Sequence, residues 1–434
     1  MDEYEDEEEE QSSYLMQEEL MHEMKYREGL TPYKRAKYAR QEAALLRRDQ
    51  ESQIPIRYRI LESGLPPAAQ ARALKKYQTL AVLEDPTQFC KLRTWLEGLL
   101  RIPFGKHHAA PCKSHRSKVK RLCDTKATMD RWIYGHAEAK ESIVHMVSQT
   151  LANPHGTPQS IGIIGPMGNG KTTLVRQGIA KALQRPFMQI SLGGVSDVTL
   201  LKGHAYTYEN SSWGRMVDVL MEARCMNPVV YFDELDKVSQ SDKGDEIISA
   251  LIHMTDTSQN TDFRDHFFED ISIDLSKVVF IFSFNNEKAI SPVLLDRLYL
   301  IRTQALQPAD KCVIASSYLL PTVARNIGFA PDQLRLAPDA ARFLISQIPS
   351  EKGVRQLKRA LEHIVLRLNT MKLLNEACRK RTKKADIGQI LGTIQCPAAA
   401  KLTHVLHFPL TLTPELLRQL VHPKPSPSYE FMYT

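Results

Sequence analysis

Gly165-Pro166-Met167-Gly168-Asn169-Gly170-Lys171-Thr172-Thr173 is the stretch that decides the fold of this chain of 434 residues. It follows the apolar run 161–164 and leads into a segment of helical composition, 174–183. The order strand, Gly-rich turn, helix is the context that a phosphate-binding P-loop requires. Glycines let backbone N–H groups curl around phosphate oxygens, and a helix N-terminus adds partial positive charge. The pattern therefore predicts that Lys171 reaches the β- and γ-phosphates of a nucleotide and that the Thr172 hydroxyl ligates Mg²⁺.

A second apolar run, 229–232, ends in the two acids Asp233 and Glu234. We expect Asp233, at the end of the strand, to hold Mg²⁺ directly or through water, and Glu234 to polarise the attacking water. A buried strand that ends in surface acids is common, so this pattern alone is weak. Its position 61 residues after Thr172 makes it a strong match to the second motif of a nucleotide-hydrolysing site.

Three further polar residues have positions typical of such a site. Asn285 follows the apolar run 278–284, and a polar residue there lies between the first two motifs in a P-loop sheet, where it can orient water. Arg297 follows soon after and can project into the nucleotide site of a neighbouring subunit; a surface salt bridge is the alternative. Arg355 falls in the first turn of a predicted long helix, from which it can reach back to a γ-phosphate.

Composition places the chain in a broad class. With 43% hydrophobic and 25% charged residues it has the balance of a soluble globular protein, and no apolar run approaches the length of a membrane span. The start, MDEYEDEEEE, is unlike a signal or transit peptide, so we expect a cytoplasmic protein without a membrane partner. Seven cysteines without a Cys-x-x-Cys pair argue against a zinc site and a disulfide framework.

The net charge of +7 conceals an uneven distribution. Eight of the first ten residues are acidic and none is basic, so the remaining 424 carry a net charge of +15. This balance is compatible with nucleic-acid binding, with an acidic tail that folds back over a basic surface, or with an acidic partner. The net charge alone does not distinguish these three possibilities. The basic segment 33–48 favours a solvated helix or coiled-coil arm over a dedicated nucleic-acid site.

Composition and the positions of Gly and Pro residues divide the chain into six parts. We expect an acidic disordered tail and basic helical arm (1–50), a helical neck (51–106), a linker (107–125), a large α/β domain (126–305), a helical lid (306–395) and a C-terminal tail with a short strand or two (396–434). Within the large domain, one helix is expected to run from Met129 to about Leu151. The strand, P-loop and helix in this order predict the α/β fold class for the large domain.

Several motifs together resemble the ATPase module of Lon, an AAA+ protease, over roughly residues 55–395. The segments 190–195, 203–208, 232–237 and 256–266 are similar to Lon's stretch after the P-loop helix, its pore loop, its second nucleotide motif and a stretch associated with Lon in particular. Residues 58–106 resemble Lon's helical neck.

The resemblance implies the AAA+ fold: a parallel αβα sheet domain of the P-loop NTPase type, followed by a helical lid and preceded by a helical neck. It also implies an ATP- and Mg²⁺-dependent ATPase that assembles as a homo-oligomer, as a hexameric ring. It implies that Glu234 is the catalytic base, Asn285 sensor 1, Arg297 a trans-acting arginine finger, Arg355 a cis-acting sensor 2, and Tyr208 the aromatic pore residue that grips a polypeptide. Thr172 and Asp233 would serve Mg²⁺. The implied nucleotide-binding set is Tyr134, Gly135, Gly165, Pro166, Met167, Gly168, Asn169, Gly170, Lys171, Thr172 and Thr173.

Three departures from the Lon pattern shape the functional hypotheses. The β-rich N-terminal domain and the protease domain of Lon are not recognisable, and Glu209 stands where Lon has an apolar residue. The leading hypothesis is therefore an ATP-driven protein unfoldase without intrinsic peptidase activity. The alternatives are an ATPase that delivers substrates to a separate peptidase and a nucleic-acid-associated motor, the latter possible but not favoured. A non-enzymatic scaffold is disfavoured because the catalytic positions hold competent residues.

Overall fold

A computed structural model of the chain describes residues 21–49, 54–108, 114–154, 156–208, 211–239, 241–380 and 408–420. The acidic segment and most of the C-terminal tail, for which disorder and short strands are predicted, lie outside these residues. No helix in the described part of the chain has the length and apolar character needed to cross a membrane.

The N-terminal region is helical. Residues 21–29 form a helical segment, followed by α1 (Pro32–Asp49), whose described side chains at 32–43 are all exposed. Three shorter helices follow as α2 (Ile56–Glu62), α3 (Pro67–Leu80) and α4 (Pro86–Arg101), in agreement with the predicted neck. Asp85 caps α4 by accepting the N–H groups of Thr87 and Gln88, and one face of α4, including Trp95, is buried against the large domain.

The expected single helix from Met129 to Leu151 is wrong. Two helices are present: α5 (His115–Trp132), which begins inside the predicted linker, and α6 (Ala137–Ala152). Ser114 explains the early start, because its hydroxyl accepts the N–H of Ser117 and caps the helix. The break follows from left-handed backbone at Gly135 (φ 70°) and His136 (φ 54°), which no α-helix accommodates.

Five parallel strands form the central sheet: β1 (Ile161–Ile164), β2 (Phe187–Ser191), β3 (Val229–Asp233), β6 (Val279–Phe284) and β7 (Tyr299–Arg302), in the spatial order β2-β3-β6-β1-β7. All residues of β1 and β6 are buried, as expected for strands covered on both faces. β6 pairs in parallel with both β1 and β3. The P-loop, the acids after β3 and Asn285 therefore lie together at the carboxyl-terminal ends of these strands. Asn285 follows β6, which lies between β3 and β1 in the sheet.

Helices cover both faces of the sheet. The helix after the P-loop, α7, consists of Lys171–Thr173, a π-helical segment Leu174–Ala180, and Lys181–Leu183. It is followed by α8 (Thr199–Lys202), α9 (Arg215–Ala223), α10 (Asp242–Thr255) and α11 (Pro292–Asp296). A small antiparallel pair, β4 (Phe263–Arg264) and β5 (Ser272–Ile273), packs beside the neck.

The lid has a separate hydrophobic core. It contains α12 (Pro308–Ile314, then π-helical Ala315–Leu319, then Leu320–Ile327), β8 (Leu334–Leu336), α13 (Pro338–Gln347), α14 (Arg355–Lys380), β9 (Leu410–Leu412) and α15 (Pro414–Leu420). β9 pairs in parallel with β8, and Leu412, Leu417 and Leu420 are buried in this core. Part of the predicted tail therefore belongs to the lid, because its apolar residues complete a core that α13 and α14 leave open on one side.

Candidate nucleotide site

The P-loop lysine lies among neutral oxygen atoms. The Lys171 Nζ atom donates to the carbonyl oxygens of Gly165 (2.7 Å) and Pro166 (3.0 Å) and to Asn285 Oδ1 (2.7 Å). Burial lowers the pKa of Lys171, while the nearby carboxylates of Asp233 and Asp236 oppose that shift. A half-buried ammonium whose direct partners among the described residues are all uncharged is a site at which an anionic phosphate group is favoured.

A hydrogen-bond network joins the two residues predicted to serve Mg²⁺. The Thr172 hydroxyl lies 3.2 Å from the Tyr231 hydroxyl, which in turn donates to Asp233 Oδ1 at 3.2 Å. Ser283 donates to the same carboxylate oxygen, and Gln189 donates to the other at 3.3 Å. Burial raises the pKa of Tyr231 to about 12, so its phenol stays protonated near neutral pH and can donate this bond.

Glu234 has an unusual backbone conformation for a residue other than glycine. Its φ of 61° and ψ of 45° are left-handed, and they turn the chain sharply at the end of β3. Gly193 faces it so closely that an added Cβ would lie 2.2 Å from Glu234 Oε2. The absence of a side chain at Gly193 therefore leaves room for the Glu234 carboxylate at the edge of the sheet.

The lid contacts the P-loop directly through the start of α14. The Val354 N–H donates to the Gly168 carbonyl oxygen (3.1 Å), and a Cβ on Gly353 would lie 2.2 Å from the Met167 carbonyl oxygen. A Cβ added to Gly168, which has a φ of 74°, would lie 3.1 Å from Arg355 Cβ. This close approach places Arg355, in the first turn of α14, beside the P-loop.

These elements enclose a cavity of about 650 Å³. The predicted site residues that line it are Tyr134, Met167, Gly168, Asn169, Gly170, Lys171, Thr172, Thr173, Asp233, Glu234, Asn285 and Arg355. Gly165 and Pro166 take part through the carbonyl oxygens that bind Lys171 but do not line the cavity, and neither does Gly135. Arg297 and Tyr208 also lie outside it.

One part of the cavity is formed by groups that the sequence analysis did not identify. They come from the α5–α6 region and from the lid, and include Trp132, Ile133, Ile314, Tyr318, Thr322 and Lys358. Tyr318 packs edge-on against Tyr134, with ring centroids 6.3 Å apart, and its hydroxyl donates to the Asp130 carbonyl oxygen (2.9 Å). This aromatic and apolar surface can accept the flat face of a nucleobase.

The residues present fit a bound Mg²⁺–nucleotide. Two buried acceptor atoms on the cavity wall, Asn169 Oδ1 and Gln177 Oε1, have no hydrogen-bond partner in the described residues. A nucleoside carries amine and hydroxyl donors, and a triphosphate supplies anionic acceptors for Lys171. Thr172 and Asp233 offer the hard oxygen ligands that Mg²⁺ prefers.

Arg297 is paired within its own chain. Its guanidinium lies 2.8 Å from Asp256 Oδ2, and the Arg297 side chain is one-third exposed. The surface salt bridge that the sequence analysis gave as the alternative is therefore present. The side chain is also accessible from outside the chain, so the pair does not exclude a contact with a neighbour.

Tyr208 lies on a loop whose ends are held together. Its side chain is 67% exposed. The His204 N–H donates to the Ser212 carbonyl oxygen (3.0 Å), and a Cβ on either flanking glycine, Gly203 or Gly214, would collide with backbone of the other end of the loop. The loop is thus fixed at its base and carries an exposed aromatic ring away from the cavity.

The comparisons with known proteins agree with this fold. Residues 161–304 match the family model "ATPase family associated with various cellular activities (AAA)". The chain is 34% identical over 286 residues to a Lon protease homolog of Acanthamoeba polyphaga mimivirus, 36% over 315 residues to a Lon protease of Helicobacter pylori (strain J99), and 33% over 315 residues to the peroxisomal Lon protease homolog 2 of Oryza sativa subsp. indica.

The matches extend over most of this chain but over a minor part of each relative. They cover 64, 70 and 72% of the chain, and 28, 36 and 34% of the three relatives, respectively. The chain therefore spans about a third of the length of the curated relatives it matches.

Proposed function

Because this chain carries an AAA+ ATPase module of the Lon type, we propose that it uses ATP hydrolysis to unfold polypeptides and draw them through the pore of a homo-oligomeric ring. The observation that carries the proposal is the combination of a cavity lined by the P-loop, the two acids after β3, Asn285 and Arg355 with an exposed aromatic residue, Tyr208, on a loop fixed at its base. The relatives are named as Lon proteases or Lon protease homologs, which supports a role of the module in ATP-dependent proteolysis. A separate peptidase that receives the unfolded chain is one form of this role.

We assign the roles in the cavity as follows. Lys171 and the P-loop N–H groups hold the phosphates, and Thr172 and Asp233 hold Mg²⁺. Glu234 takes a proton from the attacking water, which Asn285 orients, and Arg355 contacts the γ-phosphate from the lid. Bound Mg²⁺–ATP would supply the phosphoanhydride bond whose cleavage drives the cycle.

Two substitutions separate nucleotide binding from hydrolysis. Lys171→Ala should abolish tight ATP binding because it removes the only charge that the P-loop side chains offer to the phosphates. Glu234→Gln keeps the shape and hydrogen bonding of the side chain but removes the base, so ATP should bind and remain uncleaved. Filter binding and phosphate release measure the two steps. Turnover by Glu234→Gln at the parent's rate would show that the assignment of the base is wrong.

The threading role is tested at Tyr208. Tyr208→Ala should keep nucleotide binding and most ATPase activity, because the side chain lies outside the cavity, while ATP-dependent unfolding of a tagged fluorescent reporter is lost. A gel of the same samples distinguishes unfolding from cleavage. Leu200→Ala, which removes another exposed apolar side chain near the same loop, is the matched control and should still unfold the reporter. Unchanged unfolding by Tyr208→Ala would leave the ATPase in place and exclude threading by this residue.

A further inference from the structure

A second cavity, of about 180 Å³, lies at the amino-terminal ends of the parallel strands, on the side of the sheet opposite to the P-loop. Gln159, just before β1, and Val279, the first residue of β6, line it, and both belong to the amino ends of parallel strands whose carboxyl ends carry the nucleotide site. The last turn of α6 and the residues after α7 complete the wall. The cavity is separate from the nucleotide site and too small for a nucleotide.

The charged residues described on the wall of this cavity are both basic. Arg185 and Lys277 contribute cationic side chains, and none of the described residues that line the cavity is an aspartate or glutamate. Arg185 forms no ion pair with any residue that the structure describes, and its one side-chain hydrogen bond is donated by Nη1 to the Lys277 carbonyl oxygen at 3.2 Å. A guanidinium has five N–H donors, so most of this group's hydrogen-bonding capacity is unused.

The environment of Arg185 makes it unfavourable to leave the guanidinium charge unpaired. The side chain is largely withdrawn from water, and this burial lowers the pKa of the Arg185 guanidinium. Buried charges in proteins are normally paired, since desolvation of an unpaired cation is unfavourable. An anion in the cavity would supply the missing partner.

The remaining wall is suited to a small hydrated anion. Amide side chains of Gln149, Asn153 and Gln159 line the cavity and can donate N–H groups. Gly156 keeps the loop before β1 tight against Asn153, because a Cβ there would lie 3.0 Å from Asn153 Nδ2. We propose that this cavity is a binding site for a small tetrahedral oxyanion of the phosphate class, held by the Arg185 guanidinium and Lys277.

Thermal unfolding of the full chain tests the proposal. Phosphate replaces chloride at constant ionic strength, and saturating Mg²⁺–ADP is present in every sample so that anion binding at the P-loop is equal among variants. For the parent we expect a saturable rise of about 2–4 °C in midpoint temperature. The rise should be lost in Arg185→Gln and kept in Arg342→Gln, which changes an exposed arginine of the lid.

A second variant keeps the test decisive if Arg185→Gln does not fold. Gln149→Glu removes no packing and places a carboxylate at the cavity, so it should abolish the phosphate response without lowering the midpoint in chloride. A phosphate response equal to the parent's in Gln149→Glu, or in a folded Arg185→Gln, would overturn the proposal. So would a larger shift with acetate than with phosphate, which would identify a carboxylate site.

Discussion

At the scale of single residues, the phenol of Tyr231 connects the two residues that we propose to hold Mg²⁺. It lies two positions before Asp233 on a buried strand, so both side chains point to the same face, toward Thr172. A neutral donor in this position orients the Asp233 carboxylate without adding charge. Mutation of a group that orients a metal ligand typically lowers metal affinity or activity by about 10–100-fold.

Removal of this hydroxyl should weaken Mg²⁺ binding. Tyr231→Phe keeps the ring and its packing on Phe187 but loses both hydrogen bonds. We expect the Mg²⁺ concentration for half-maximal ATPase activity to rise roughly 10-fold, with a smaller change in the rate at saturating Mg²⁺. Phe232→Leu, on the opposite face of the strand, is the control for packing. An unchanged Mg²⁺ dependence in Tyr231→Phe would mean that the hydroxyl has no part in holding the ion.

At the scale of elements, the Tyr208 loop is anchored by a buried carboxylate. Asp265 is fully buried, and its two oxygens accept the N–H groups of Gly214 (2.8 Å) and Phe267 (2.9 Å). The anchor is attached to the neck as well, because the Trp95 indole N–H donates to the Phe267 carbonyl oxygen (3.0 Å). These hydrogen bonds therefore connect the neck, the base of the Tyr208 loop and the large domain.

Stability should depend on pH through this anchor. Burial raises the pKa of Asp265 to about 7 in spite of the backbone N–H donors, whereas the unfolded value is near 3.8. The folded chain thus holds a proton that the unfolded chain releases between about pH 4 and 7, and the stabilisation from this group is lost as pH rises through 7. We expect the unfolding midpoint of the parent to fall over this range more steeply than that of Asp265→Asn.

Comparison of how steeply the unfolding midpoint changes with pH in the parent and in Asp265→Asn isolates the contribution of Asp265. Asp265→Asn should lower the midpoint at every pH, because its amide presents N–H donors to a backbone N–H, but it cannot titrate. Asp262→Asn, an exposed neighbour, is the control and should retain the parent's slope. Parallel pH profiles for parent and Asp265→Asn would show that the carboxyl ionises normally in the fold.

At the scale of the whole molecule, the position of Arg297 bears on assembly. Arg297 lies outside the cavity of its own chain and contacts Asp256. We propose that in a ring it reaches the nucleotide of the neighbouring subunit, so that hydrolysis depends on assembly.

Mixed rings test this dependence. Arg297→Ala and Lys171→Ala should each be inactive alone, the first because a finger contributes about 10³–10⁵ in rate where it has been measured. In mixtures, some interfaces combine an intact P-loop with an intact finger, and part of the ATPase activity should return. Mixed assembly is verified by differently tagged subunits. Failure of verified mixed rings to recover activity would argue that Arg297 acts within its own chain or not at all.

The sequence by itself determined the parallel sheet, the P-loop and the acids after β3. These features depend on local requirements: glycines at positive φ, a buried apolar run, and polar residues at strand ends. Asn285 was predicted from the same kind of pattern, because the carboxyl ends of parallel strands meet at one end of the sheet. The AAA+ fold class was inferred from the resemblance to the ATPase module of Lon, and the match of residues 161–304 agrees with it.

Only the tertiary structure decided the contacts between distant segments. Tyr318 meets the Asp130 carbonyl oxygen across 188 positions, and Asn169 Nδ2 donates to Thr303 Oγ1 across 134. The break at Gly135 and His136, the pairing of β9 with β8 and the ion pair of Arg297 with Asp256 are of the same kind. Local pattern carries no information on which distant side chain completes a core or satisfies a buried polar atom; that is fixed when the packed elements exclude water.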